Sequence, residues 1–243
     1  MKTALFVQAR MGSARLPGKV LMQVLGKPLL EYQLERLKKV TQADMLAVLT
    51  SRLAQDDPIQ NLCSKLNVSC FRGSENDVLD RYYQAALLMK TDLIVRITGD
   101  CPLIDPAITD LVIQTAKNGF PQIAYTSNSL LRTYPRGMDT EVITFNALQE
   151  LQGRAKDAAE REHVTLYAYR HPEQFTLQNV SNAQDQSHYR LTVDTQEDFQ
   201  LIQHILTELY PKKPDFNLSD IIALLESHPE WAQLNAHIKQ KKI

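Results

Sequence analysis

Ala4-Leu5-Phe6-Val7-Gln8-Ala9-Arg10-Met11-Gly12-Ser13-Ala14-Arg15-Leu16-Pro17-Gly18-Lys19 moves from an apolar run into a polar, glycine-bearing loop within a few positions. The run is the length of a buried strand, and the glycines after it let backbone N–H groups approach an anion closely. Arg10, Arg15 and Lys19 add three cations to this short segment. A strand leading into a cationic loop is the opening of an α/β phosphate-binding unit. The alternative is a basic surface loop with turn glycines. The loop is not a Walker A motif: five residues separate Gly12 from Gly18, and Val20 stands where a magnesium-binding hydroxyl belongs. It also lacks G-x-G-x-x-G, which excludes the dinucleotide version. Any metal accompanying bound phosphates must find its ligands elsewhere in the chain.

Outward from this segment the same rhythm repeats. Helical patterning begins near Pro28, with Leu29, Leu30, Leu34 and Leu37 as its apolar stripe. Met45 to Leu49 reads as a strand, Asp57-Pro58 as a helix start, Val68 to Phe71 as a strand, and Asp77 to Met89 as a helix. Asp92 to Ile97 is the fourth strand, and Asp105-Pro106 enters another helix. Strands alternating with helices at this spacing predict an α/β fold with a mostly parallel sheet. The rhythm breaks over 127–186, where a long loop around Pro135 and Gly137 precedes a strand at Glu141 to Thr144 and a helix from Asp157 to Tyr169. This stretch is expected to be an insertion that covers substrate or meets another subunit. Tyr189 to Val193 is expected to return as a strand, Thr195 to cap a helix running to Leu209, and 211–243 to form a helical extension with Trp231 as packing anchor. The whole chain, 1–243, reads as a single domain.

The composition is 44% hydrophobic and 23% charged, which is ordinary for a globular domain. The formal net charge of −1 offers no general attraction to nucleic acid or anionic lipid, so phosphate binding must rest on a few placed cations. No apolar run approaches the roughly 18 residues a membrane span needs, and the N-terminal run is too short for a signal peptide. Cys63, Cys70 and Cys101 are odd in number and lack metal-ligand spacing. They predict a reducing, cytoplasmic setting with no structural zinc.

Two aspartates carry the metal expectation. Asp100, in Thr98-Gly99-Asp100-Cys101-Pro102, lies just past the fourth strand, and Asp194 just past the strand expected at Tyr189 to Val193. Open α/β sheets bind ligands in the crevice at the carboxyl ends of their strands. Mg²⁺ is commonly held by one or two carboxylates plus substrate phosphates. A turn or cap role is the alternative for each. Asp139 and Glu141 suit sugar hydroxyls, or equally a strand-entry turn. Glu162 and His163 lie on a helix and read either as substrate contacts, with His163 as a conceivable base, or as a solvated charged face.

The segment Gln8 to Lys19 resembles the signature of the sugar cytidylyltransferases, which include the enzymes making CMP-sialic acid and CMP-ketodeoxyoctonate. The resemblance is strongest to the spore-coat polysaccharide biosynthesis branch. It continues through Phe71-Arg72-Gly73-Ser74, Asp77-Val78-Leu79, Arg96 to Asp105, Arg132-Thr133-Tyr134-Pro135, Arg161 to Thr165 and Val193-Asp194-Thr195, covering roughly residues 1–209. It implies the nucleotide-diphospho-sugar transferase (Rossmann-like) fold and a homodimer in which the region after Ser127 reaches toward the partner. It also implies Mg²⁺-dependent transfer of CMP from CTP to a sugar. By this likeness Gln8, Ala9, Arg72 and Ser74 read the cytosine, and Arg10, Gly12, Ser13, Arg15 and Lys19 hold the triphosphate. By the same likeness Asp100 and Asp194 hold the metal. Val20 replaces the Asn common in sialic-acid enzymes, which points to another nonulosonic-type keto acid or surface-glycan sugar. Two rivals stand beside this reading. One is a nucleotide-sugar-dependent glycosyltransferase, although Asp-x-Asp is missing and Asp139-Thr140-Glu141 comes nearest. The other is a non-catalytic nucleotide-binding protein on the same fold.

Overall fold

The structure, a computed structural model, describes residues 1–240. The last three residues of the expected C-terminal extension, 241–243, lie outside the described residues. In chain order the elements are β1 (Thr3–Gln8), β2 (Gln23–Val24), β3 (Lys27–Pro28), α1 (Leu29–Leu37), β4 (Met45–Ser51), α2 (Asp57–Lys65), β5 (Ser69–Gly73), α3 (Val78–Met89), β6 (Leu93–Thr98) and α4 (Pro106–Gly119). There follow β7 (Tyr125–Ser127), β8 (Glu141–Thr144), α5 (Phe145–Arg154), α6 (Ala158–Glu162), α7 (Leu166–Arg170), β9 (Leu177–Asn179), α8 (Gln196–Leu209), α9 (Leu218–Ser227) and α10 (Pro229–Gln233).

Seven strands form the main sheet in the order β5-β4-β1-β6-β8-β7-β9, and β2 and β3 form a small separate hairpin. β1 pairs in parallel with β4 and β6, while β8 is antiparallel to both its neighbours. β1 lies inside the sheet, between β4 and β6, and its residues are apolar on both faces. Leu5 and Val7 enter the cluster built with α1, α2 and α4, while Ala4 and Phe6 enter the one built with α3 and α5. A strand covered on both faces reads as a continuous apolar run, which is why Ala4 to Val7 shows no alternation. A third cluster joins α8 and α9 to Leu29, Tyr32, Leu191 and Val193.

The break in rhythm at Ser127 corresponds to a reversal of chain direction. Residues 127–186 supply β8 and β9 to the same sheet, with α5, α6 and α7 between them. The expected single helix from Asp157 to Tyr169 is two short ones, interrupted where Val164 takes a φ of 28°.

One expected strand does not form. Between Tyr189 and Val193 only Arg190 makes a bridge, to Arg136. Leu191 and Val193 still alternate toward a buried face, because they pack on α8 and α9. The sequence pattern therefore reports burial without a strand partner. Thr195 does cap α8, in a reciprocal arrangement with Asp198. Among the described residues no helix is long and apolar enough to cross a membrane.

Candidate active site

A cavity of about 980 Å³ opens at the carboxyl ends of β1 and β6 and at the start of β8. Because β8 runs opposite to β6, its first residue, Glu141, is delivered to the end of the sheet where β6 finishes. Gly99 follows β6 and donates from its N–H to the Gln8 carbonyl at 2.8 Å. A Cβ at Gly99 would lie 2.8 Å from the Gln8 carbonyl oxygen, so a side chain there would push the two strand ends apart.

The cationic loop after β1 folds over this end. Met11 accepts from the N–H groups of Ser13 and Gly18, both at 2.9 Å, which closes the loop on itself. Its own N–H donates to the buried Asp56 carboxylate at 2.7 Å. Sequence reading passed over Asp56, whose role as loop anchor had no local signal.

Lys19 ends the loop at the centre of the site. Its ammonium donates to Asp100 Oδ2 at 2.8 Å, Asp194 Oδ1 at 2.8 Å and the Val193 carbonyl at 2.7 Å. The aspartates come together because the extended residues 190–194 run beside Asp100. Val193 N–H donates to the Asp100 carbonyl at 2.8 Å, and the Thr192 hydroxyl donates to the same oxygen at 3.2 Å. Burial opposes the charge on Lys19, but Asp100 and Asp194 outweigh it and raise its pKa. Burial likewise works against the Asp100 carboxylate, yet the Lys19 ammonium beside it holds its pKa below the usual value. Asp194 Oδ2 is bound further by Arg15 at 2.9 Å and by the buried Arg190 at 2.7 Å. Arg190 is fixed in turn by the fully buried Asp198, 2.9 Å from its Nε. The sequence carries no sign of the Arg190–Asp198 pair, since an acidic residue in the first turn of a helix is ordinary and nothing local shows that it is buried against an arginine.

Across the cavity Arg96 and Glu141 form a buried ion pair, and the same carboxylate accepts from the Tyr125 hydroxyl at 3.0 Å and from Thr165. Gln8 Oε1 accepts from Arg96 Nε at 3.1 Å. Arg132 and Asp139 meet in a two-bonded pair, one arm at 3.0 Å. Arg10 reaches Glu162 at 2.9 Å. Arg136 lines the cavity with no side-chain hydrogen bond or ion pair among the described residues, and burial together with Arg132 lowers its pKa.

Of the residues singled out from the sequence, Gln8, Ala9, Arg10, Ser13, Arg15, Lys19, Asp100, Asp139, Glu141, Glu162, His163 and Asp194 all line this one cavity. Gly12, Arg72 and Ser74 do not. Arg72 instead ties β5 to its surroundings, donating to the Ser51 and Leu53 carbonyls at 2.7 Å each and pairing with Asp57 at 2.6 Å. The Ser74 carbonyl accepts from Arg81 Nε at 3.0 Å, and it is Arg81 that faces the cavity. Cys101 lines the cavity too, but burial pushes its thiol pKa well up, which leaves it an inert packed residue.

A crevice at the carboxyl ends of parallel strands, roofed by a cationic loop, is where open α/β sheets take phosphorylated ligands. Comparison with known proteins makes that class specific. The chain belongs to the cytidylyltransferase family, whose model matches residues 4–243. It is 35% identical over 240 residues to the spore coat polysaccharide biosynthesis protein SpsF of Bacillus subtilis, covering 96% of this chain and 98% of that one. An uncharacterised protein of Methanocaldococcus jannaschii is 37% identical, with 99% and 97% covered. Among solved structures, a cytidylyltransferase from Leptospira borgpetersenii superposes with a TM-score of 0.92 at 36% identity over the full length of both chains. A CMP:2-keto-3-deoxy-manno-octonic acid synthetase, at 17% identity and a TM-score of 0.67 over 86% of this chain and 99% of that one, shares the fold.

Proposed function

We propose that this protein transfers CMP from CTP to a hydroxyl of an acidic sugar, releasing pyrophosphate, in the synthesis of a surface glycan. The observation that carries the reading is the meeting of Lys19 with Asp100 and Asp194, all at 2.8 Å, on the wall of a cavity in a chain of this family. Arg15 and Lys19 offset charge on the departing pyrophosphate, and the sugar oxygen bonds to the α-phosphorus as the bond to the β-phosphate breaks. The Arg136 guanidinium, with no side-chain hydrogen bond or ion pair among the described residues, supports an acidic sugar, because a carboxylate would give it a direct partner.

Mg²⁺ fits the residues present. Asp100 and Asp194 offer hard oxygen donors that already converge on one cation, the Lys19 ammonium, and bound phosphates complete such a set. When bound there, the ion supplies charge neutralisation at the α-phosphate and a lower pKa for the attacking hydroxyl. A cytoplasmic setting, in keeping with three free cysteines, and a homodimer belong to the same proposal. Leu131, 71% exposed beside the cavity residues Leu130 and Arg132, offers apolar surface for a second copy, which light scattering tests.

The deciding experiment incubates the protein with each of the four nucleoside triphosphates, Mg²⁺ and a panel of sugars. Pyrophosphate formed with CTP and one sugar acid is the expected result. Release of a nucleoside diphosphate from a nucleotide-sugar would establish the glycosyltransferase instead. CTP binding with no turnover across the panel would make the protein a nucleotide sensor.

A further inference from the structure

The C-terminal extension does more than pack. Trp231 of α10 lies between His204 of α8 and His228, with ring centroids 4.8 Å and 4.2 Å away, and Leu234 packs on the third core cluster. The chain then turns back toward the cavity. Asn235 is 2% exposed, and its amide donates to Asp198 Oδ1 at 2.8 Å and to the Arg190 carbonyl at 3.0 Å. Gln240 Oε1 accepts from Arg190 at 2.7 Å. These are the residues that hold Asp194, so the segment 235–240 is moored at both ends to the core of the site. Lys239, between the moorings, lines the cavity together with Arg15, Lys19 and Asp194. Its ammonium has no hydrogen bond or ion pair among the described residues, unlike Lys19 and Arg15, which are engaged by carboxylates.

We infer that residues 235–240 form a wall of the nucleotide site and that Lys239 contacts the polyphosphate of the bound triphosphate. The inference rests on the proposed use of CTP. The charge pattern favours it: Arg15 and Lys19 must share their charge with Asp100 and Asp194, whereas Lys239 forms no ion pair with a carboxylate among the described residues. An anion carrying several charges next to Asp194 needs such a surplus. Lys239 is exposed, so its replacement leaves the core intact.

Titration calorimetry of the full chain with CTP and with CMP, both with Mg²⁺, tests this. Lys239→Ala is expected to weaken CTP binding about tenfold and CMP binding by less than about twofold, with Lys239→Arg recovering most of the loss. Unchanged CTP affinity in Lys239→Ala would overturn the inference, and so would equal losses for CTP and CMP, since CMP lacks the phosphates concerned. A wild-type chain that binds no CTP would sink the reading beneath it, an outcome distinct from either of these.

Discussion

Asp100→Asn separates the chemistry of the site from its contribution to stability. The substitution is nearly isosteric, and the amide oxygen can still accept from Lys19, which keeps its bonds to Asp194 and the Val193 carbonyl. What is lost in the fold is the charge assistance of one 2.8 Å bond between side chains that are 10% and 22% exposed. A charge-assisted bond contributes about 1.5–3 kcal/mol and a neutral one about 1, so the fold should lose about 1 kcal/mol. In a domain of this size that lowers Tm by about 2–4 °C. The effect on turnover should be far larger. Removing one preorganised electrostatic group costs about 10²–10³ in kcat, and at least as much is expected if Asp100 has the metal-holding role proposed for it. Pyrophosphate release measured beside thermal denaturation resolves the two effects. A variant that turns over at the wild-type rate, or one whose activity loss is matched by unfolding at the assay temperature, would refute the role assigned to Asp100.

Other outcomes follow from the same geometry. Lys19→Met leaves Asp100 without its ammonium while Arg15 and Arg190 still serve Asp194, so it should destabilise the fold by about 2–4 kcal/mol in urea titration, more than Asp100→Asn does. The ligand-free protein should lose stability in acid: the lowered Asp100 pKa means its contribution is complete above its ordinary value of 3.8 and lost as pH falls through the folded one. Lys19, raised from 10.5, keeps its contribution below that value and loses it as pH rises through the folded one, so urea midpoints should drop as pH falls below about 4 but hold from pH 6 to pH 9. Gly137 has a φ of 101°, and a Cβ there would lie 2.5 Å from the Leu191 carbonyl oxygen. Gly137→Ala should therefore displace residues 190–194, and with them Asp194, costing about 2 kcal/mol or more and most of the turnover; a fully active, stable variant would show that this backbone contact is dispensable.

Much of this architecture was legible because it is written locally. Ala4 to Val7 is apolar on both faces, Asp77 and Thr195 are helix caps, and Asp105-Pro106 marks a helix start, all readable within a few residues. Asp100 and Asp194 were legible as strand-end carboxylates, although only half of that reasoning survives: Asp194 reaches the cavity from an extended segment held by Arg136 and Asp100 instead of from a strand. The cytosine-reading role expected for Arg72 and Ser74 meets a different geometry, since Arg72 spends its donors on Ser51, Leu53 and Asp57. Long-range partners left no trace. Arg96 with Glu141 and Asn235 with Arg190 are pairings fixed by tertiary placement, and periodicity carries no information about which distant partner a given arginine will meet.

The Lys19 ion cluster spans most of the chain, since Asp194 lies 175 residues beyond the lysine it binds. During synthesis the cationic loop therefore emerges long before its second carboxylate exists. A nascent or proteolytically shortened chain ending ahead of Asp194 would carry Lys19 with Asp100 as its one carboxylate from this cluster and Arg15 with none. Closing the cluster must wait for the extended segment that lays Val193 against the Asp100 carbonyl and so brings Asp194 to Lys19.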